Sequence, residues 1–531
     1  MSKVVLLAIN AKYVHSSLSV WLIAEGVRKF AHFPHDVNVV EATINQPSDE
    51  IAKCVVENEP DVIGISSYIW NAEMLPGLLK QLREALPEAI IVLGGPEASN
   101  NINYWLDNCA DFVLPGEGEF VFPRLLDSIK SSQKYPLINE DLSSPIDPYS
   151  SDYFDALNGR LAYIETSRGC PFQCAFCLSA DTNVKYFPLD KVKEQILMLS
   201  KSNTKTLKFV DRTFNCNAER ACEIFQYVVG LDTNCCFHFE VAADLFDEKM
   251  LSLLRSAPPG RIQFEIGLQS FFEPALKASS RKMDIEKAEQ NIRKLMQMEN
   301  IHIHIDLIAG LPFETLNEYK NSFNRAYELN THHLQLGFLK LLHGSELRKN
   351  AHKFGMQYST RPPYEIIYNN WLTVIDLKII KHVENALQNT RNKGRFLTTL
   401  DYILRATEMT PFELLHRIGL NVPSHATQLE DYIVKLFEFF TTLPGVDVNE
   451  LKDCLIYDWL GMVKGKNTPG FLKNDDKLRK HIANAAEKQL GRSLRREEYA
   501  VLISGVGIFI DNTDRSPVTG LYRVYTIQQD R

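Results

Sequence analysis

The chain has 531 residues, of which 45% are hydrophobic and 23% charged, and a net charge of −8. Such a composition is that of a globular chain, with room for three or four domains at about 150 residues each. The acidic balance excludes a global basic footprint for nucleic acid, and no apolar run approaches the roughly 20 residues that cross a bilayer. The N-terminus, MSKVVLLAIN, lacks the charged region, long apolar run and small-residue cleavage site of a secretory leader. The expected location is therefore the cytoplasm, where thiols stay reduced.

In chain order, the first 130 residues alternate apolar strands with helices. Strands are expected at 3–10, 36–42, 61–70, 89–99 and 111–120, and helices at 17–30, 48–59 and 74–86. Continuous apolar strands between helices predict a doubly wound parallel sheet. Ligands of such sheets bind outside the carboxyl ends of the strands. The polar and glycine-rich pieces fall there: Asn10 to His15, Ser66 and Ser67, Gly94 and Gly95, and Gly116-Glu117-Gly118. No G-x-G-x-x-G follows the first strand, which disfavours a dinucleotide.

Residues 136–160, rich in Pro, Ser and Asp, read as a linker. Strands are then expected at 161–167, 206–211, 235–242, 262–269, 301–310 and 334–342. Helices are expected between them at 189–201, 217–230, 247–255, 284–299 and 314–329. Six strands with five helices predict a partial (β/α)6 barrel. Its chemistry would sit in loops at the strand carboxyl ends. The first such loop is TSRGCPFQCAFCLSA (166–180), with Cys170, Cys174 and Cys177 spaced C-x3-C-x2-C. A structural zinc site needs four ligands, as paired C-x2-C knuckles, and the other cysteines supply no second knuckle. Iron–sulfur clusters are held by thiolates. Three thiolates on a four-iron cluster leave one iron open to a substrate or cofactor.

This middle section resembles the radical S-adenosylmethionine superfamily, whose cluster loop has this spacing and an aromatic before the last cysteine, here Phe176. The resemblance implies a [4Fe–4S] cluster on the three cysteines. Its open iron would bind S-adenosylmethionine, which one electron cleaves to a 5′-deoxyadenosyl radical. It further implies contacts at strand ends. Asp211 would meet the methionine amine and Glu240 the methionyl part. Gln269 would face the ribose, and Gly310 and Pro312 of IDLIAGLPFET the adenine. Each of these polar residues also has a plainer use, capping a helix or satisfying a loop amide. His302 and His304 share one strand face. With no third ligand nearby they read as barrel-face packing or substrate polarity.

The N-terminal region, through SS(66–67), LGGPEAS and LPGEGE, resembles the cobalamin-binding domain that precedes many radical enzymes of this kind. Cobalamin domains of the methionine synthase type carry D-x-H-x-x-G after the first strand. Here that turn reads NAKYVHSS, with neither the Asp nor the Gly in register. His15 is therefore read as a loop histidine beside the cofactor pocket, and ligation of cobalt is not expected of it. The plainer alternative is a ligand-free nucleotide-like domain.

From about residue 364 the pattern turns helical, ending in short strands near VLISGVGIFIDN and LYRVYTIQQ. The basic segment 477–498 admits a local footprint for RNA, but a solvated, charge-paired helix is favoured. The expected organisation is a cobalamin-binding domain at 1–135, a linker at 136–160, a radical barrel at 161–360 and a mainly helical domain of unknown role at 361–531. The resemblance implies a cobalamin-dependent enzyme that methylates an unreactive carbon, supplied with electrons by a flavodoxin or ferredoxin. The alternatives are non-methylating chemistry on tRNA, a peptide or a tetrapyrrole, and a non-catalytic cobalamin or redox sensor.

Overall fold

The structure is a computed structural model that describes residues 1–131, 146–422, 428–462, 468–473 and 476–527. Residues 136–145 of the expected linker lie outside the described residues, as do the last residues of LYRVYTIQQ and several side chains of the basic segment. The chain divides into two compact units. The first takes residues 1–265, 275–288 and 338–370, and the second 266–274, 289–337 and 371–531.

The first unit opens with a five-stranded sheet of β1 (Ser2–Asn10), β2 (His35–Thr43), β3 (Val62–Ser66), β4 (Ile90–Gly94) and β5 (Phe112–Leu114). The order is β2-β1-β3-β4-β5, and every pair is parallel. Both faces are covered by helices, so the strands read as unbroken apolar runs. One face packs under α2 (Ser48–Val56) and α3 (Leu75–Ala85), where Ile63, Ile65, Leu75, Leu78, Leu79 and Leu82 are almost fully buried. Each such side chain contributes about 1.5–3 kcal/mol. Helices α1 (Ser19–Phe30) and α4 (Gly118–Ser131) pack against each other. The sheet reverses direction of winding at β1 and β3, which places a ligand crevice at their carboxyl ends. The expected strands 61–70 and 89–99 stop at Ser66 and Gly94, where Asn71 Nδ2 donates to the Ser66 and Ile9 carbonyls and the Ser67 amide donates to Gly94 O.

The described part of the expected linker is packed into this unit. Helix Ser151–Leu157 sets Tyr153 edge-on to Trp21, ring centroids 5.7 Å apart. Arg160 is buried and pairs with Glu41 at 2.9 Å. A guanidinium taken out of water needs such a partner.

The barrel strands of the first unit are β6 (Ala162–Ile164), β7 (Thr206–Phe209), β8 (Cys236–Val241) and β9 (Ile262–Gln269). They neighbour one another in that order, and the β6–β7 and β7–β8 pairs are parallel. Helices Leu189–Ser200, Ala218–Gly230 and Glu248–Arg255 connect them, within two residues of expectation. Strand β6 ends three residues before the expected 167. Ser167 and Arg168 instead pair antiparallel with Tyr186 and Lys185, closing the base of the cysteine loop.

Strand β9 runs on into the second unit, where β10 (His302–Ala309) and β11 (His333–Phe338) follow it in order. Burial alternates strictly along β10: every second residue is sealed and the others stay partly accessible. The remainder is helical, from Val374–Asn389 to Asp476–Leu490, and ends in a three-stranded antiparallel sheet of Tyr499–Val501, Gly507–Arg515 and Tyr522–Thr526. Ile482 and Ala486 of the last helix pack on Tyr499, Val501 and Phe509. The fold class is thus the expected one: α/β, with a doubly wound sheet, a β/α barrel section and a mainly helical C-terminal region.

Candidate active site

The cysteine loop is held at many points. Gly169 sits at φ +104°, and a Cβ there would lie 2.4 Å from the Asn183 carbonyl oxygen. The next residue, Cys170, donates its N–H to Thr182 Oγ1 at 2.8 Å, and its carbonyl accepts from the Thr182 amide at 3.0 Å. The Ala175 amide donates to Ser279 O at 2.8 Å, and Ala175 O accepts from the Leu347 amide at 2.7 Å. Phe176 is half-buried beside them.

Each of the three sulfurs has a polar group beside it. Ser179 N–H donates to Cys177 Sγ at 3.4 Å, and Arg281 Nη1 to Cys174 Sγ at 3.6 Å. Thr213 Oγ1 lies 3.7 Å from Cys170 Sγ. Burial, then the neighbouring Cys174 and Cys170, push the Cys177 thiol above its usual range. Two buried cysteines and one half-buried one, with an amide aimed at Cys177 and a guanidinium at Cys174, suit thiolates bound to iron better than inert core thiols. The donor set therefore fits a cluster.

Asp211 follows β7 and is 1% exposed. Its Oδ2 accepts from the Thr166 amide at 3.0 Å, and its Oδ1 from Thr166 Oγ1 at 2.7 Å and Ser167 Oγ at 2.5 Å. Both oxygens are thus engaged by the segment that leads into the cysteines. Burial raises its pKa from 3.8 to about 6. Glu240 lies on β8 and pairs with Lys208 at 3.7 Å, and Lys208 also meets Glu265 at 3.0 Å.

Arg168 joins the two halves of this unit. It is bidentate to Glu165, at 3.0 and 2.6 Å, and its Nη1 reaches Glu117 at 3.0 Å and Glu119 at 2.8 Å. Burial alone would lower its pKa, and the three carboxylates outweigh that and raise it. Glu117 and its neighbours Gly116 and Gly118 are thereby tied to the residue two before Cys170.

At the other strand ends, Ser66 Oγ is 3.5 Å from the Leu7 carbonyl, a weak contact. Ser67 Oγ is buried with no partner among the described residues. Gly94 O accepts from the Ser67 amide at 2.7 Å. Gly95, at φ +95°, brings its backbone so near Ser67 that a Cβ would lie 2.5 Å from the serine carbonyl oxygen. The orphaned hydroxyl at a crevice of close-packed backbone fits a ligand there. His15 Nδ1 shares a hydrogen bond with Tyr163 Oη at 2.6 Å, and burial lowers its pKa. Its ring is committed to a barrel tyrosine, in keeping with a loop histidine.

In the second unit, Gln269 ends β9 at φ +70°, and its Oε1 is buried without a partner among the described residues. An unsatisfied buried carbonyl at a strained strand end points to a missing donor. Gly310 and Pro312 follow β10 and are buried. His302 stacks on His332, centroids 4.9 Å apart, and His304 Nε2 lies 2.9 Å from Asp306 Oδ1. Sequence reasoning missed Arg168, Thr213 and Arg281. Arg168 could have been flagged as a cation inside the cysteine motif. Nothing in the sequence links Thr213 or Arg281 to sulfurs that lie 43 and 107 residues away.

Three protein families match the chain: the B12 binding domain over 4–126, the Radical SAM superfamily over 164–326, and a protein family of unknown function, DUF4080, over 352–501. An uncharacterized methyltransferase of Pyrococcus horikoshii, PH0819, is 24% identical over 352 residues, covering 60% of this chain and 75% of that one. The cobalamin-dependent radical SAM methyltransferase TokK of Streptomyces tokunonensis is 24% identical over 54% of this chain, which spans only 47% of that protein. Among solved structures, the cobalamin-dependent S-adenosylmethionine radical enzyme OxsB with aqua-cobalamin and S-adenosylmethionine bound superposes with a TM-score of 0.60 at 13% identity, covering 86% of this chain and 78% of that one.

Proposed function

Because the chain is a radical S-adenosylmethionine superfamily protein that also carries a B12-binding domain, we propose that it is a cobalamin-dependent enzyme that cleaves S-adenosylmethionine reductively and methylates an unreactive carbon. The observation that carries this reading is Arg168, which ties the LPGEGE loop of the B12-binding domain to the loop of Cys170, Cys174 and Cys177 within one compact unit. A sensor has no need to fix those two loops together.

In this reading the three cysteines hold a [4Fe–4S] cluster, and Arg281 and the Ser179 amide steady the charge on two of the sulfurs. Asp211 braces the segment before the loop rather than meeting substrate, since Thr166 and Ser167 use both its oxygens. Gln269 Oε1 accepts from a hydroxyl of the bound nucleoside, with Gly310 and Pro312 shaping its base. Glu240 remains the candidate for the methionyl part. Ser67, Gly94, Gly95 and Gly116 to Gly118 face the cobalamin, with Ser66 and His15 at its margin. Bound there, these groups would supply an electron, a hydrogen-abstracting radical and a transferable methyl group. The electron comes from a small external carrier such as a flavodoxin or ferredoxin. Methyl transfer is favoured over other radical outcomes because PH0819 and TokK are both named as methyltransferases.

The test uses anaerobic, iron-reconstituted protein supplied with hydroxocobalamin, beside Cys174→Ala. The wild type is expected to retain cobalamin and to release 5′-deoxyadenosine; Cys174→Ala is expected to retain cobalamin and to lose the release. Cleavage without cobalamin retention would sink the B12 half of the proposal. A cluster-loaded protein that never cleaves S-adenosylmethionine would favour the sensor.

A further inference from the structure

The first unit contains a cavity of about 950 Å³ that none of the roles above uses. That is near the upper end of the range for small-molecule sites. Its walls include Tyr104, Trp105, His343, Arg348, Tyr358 and Tyr364. Four of these are aromatic, and the cation among them is unusually placed. The Arg348 guanidinium lies over the rings of both Tyr358 and Tyr364, at 5.1 and 4.8 Å. Nη1 donates to the Leu341 carbonyl at 2.6 Å. Nε and Nη2 have no acceptor among the described residues. The buried carboxylate of Glu97, within electrostatic reach of Arg348, accepts the Tyr364 hydroxyl at Oε1, 2.5 Å away. A stacked, pre-oriented guanidinium with open donors is the usual recognition group for a carboxylate or phosphate. Arg361 adds a second cation to the wall, against one lining carboxylate, Glu73, and the buried Glu97 behind Tyr364.

The cavity is lined by the B12-binding domain on one side and by residues 343–364 on the other, and the second wall is tied to the cysteine loop through the backbone. Arg348 follows Leu347, whose amide donates to Ala175 O, between Cys174 and Phe176. On the other side, Glu97 and Asn101 belong to the segment after β4, and a Cβ on Gly344 would lie 2.1 Å from Asn100 Oδ1. A molecule bound here lies against the segments that follow β3 and β4 of the B12-binding domain, one residue-to-residue step (Arg348, Leu347) from the backbone of the cysteine loop. The wall from His352 to Tyr364 is the first part of the DUF4080 match.

We propose that this cavity is the substrate pocket and that it selects an organic anion, a carboxylate or phosphate monoester borne on a planar unsaturated body. The aromatic walls take the body and Arg348 takes the anion. That the ligand is the substrate rests on the function proposed above; that the cavity prefers planar anions does not.

The test is equilibrium dialysis of the full chain, with and without its cofactors, against 2-naphthoate, 2-naphthyl phosphate and the neutral 2-naphthylmethanol. Both anions are expected to bind, with the alcohol about tenfold weaker, as for the loss of one charge-assisted contact. Arg348→Gln should erase that preference. Tyr104→Ala, at a side chain 43% exposed and so safe for folding, should weaken all three probes. Equal binding of alcohol and naphthoate by the wild type, or an unchanged preference in Arg348→Gln, overturns the proposal. So does displacement of naphthoate by hydroxocobalamin, which would make the cavity part of the cofactor's own site. Release of 5′-deoxyadenosine is measured in the same wild-type preparation. Anion preference without cleavage keeps the pocket and sinks the enzyme, and cleavage without anion preference does the reverse.

Discussion

Asp211 gives both carboxylate oxygens to Thr166 and Ser167, so a residue expected to meet a cofactor supports the loop that would hold one. Its place at a strand end was legible in the sequence. Its partners were not, because they lie more than forty positions earlier in the chain. The sign of its titration is testable. An acid raised from 3.8 to about 6 holds its proton more tightly when folded. Its contribution to stability is therefore full below pH 3.8 and is lost as pH rises to about 6. Ionised, it costs the folded state about 3 kcal/mol. Asp211→Asn removes this dependence while leaving the Thr166 amide or a hydroxyl unpaired. The variant is expected to be less stable than the wild type at pH 4, with the gap narrowing by about 2 kcal/mol by pH 7. Urea unfolding of both proteins at each pH reads this, and a gap that does not change with pH refutes it.

At the scale of elements, strands and helices were read well wherever the hydrophobic period was clear, as along β9 and β10 with their strict alternation. The ends were read less well. Strand β6 stops at Ile164 because the polar TSR that follows has other work: Thr166 and Ser167 bind Asp211, and Arg168 binds three glutamates. Hydropathy carries no signal for that. Arg168→Met would leave Glu117, Glu119 and Glu165 facing one another half-buried, and we expect a loss of about 3 kcal/mol. Arg168→Lys keeps the charge but not the bidentate fork, and should recover about half of it. If Arg168 couples the two loops, hydrogen exchange at 115–119 and at 166–177 rises together in Arg168→Met. Faster exchange in one loop alone would make Arg168 a local ion pair and nothing more.

For the whole molecule, the change to a helical pattern near residue 364 suggested a radical barrel before about residue 360 and a helical domain after it. By packing, the second compact unit takes 266–274 and 289–337 together with 371–531. The reason lies in contacts no local pattern reports. The Asn392 side chain accepts from the Leu334 amide at 3.1 Å and donates to its carbonyl at 2.8 Å, standing in for a further strand at the edge of β11. Arg391 lies over the Tyr327 ring at 4.3 Å, and Phe412 packs edge-on to Phe323 at 5.5 Å. An uncovered strand edge is a template for aggregation, and each large apolar side chain returned to water costs about 2 kcal/mol. A chain ending at Asn370 keeps the whole first unit and strips these partners from the second. Its residues 2–131 should keep full protection from hydrogen exchange, while 302–337 should exchange orders of magnitude faster than in the full chain. Equal protection of 302–337 in both proteins would mean that the barrel strands stand without the helical region. That region would then be an appended module, against a structure in which it finishes the edge of the sheet.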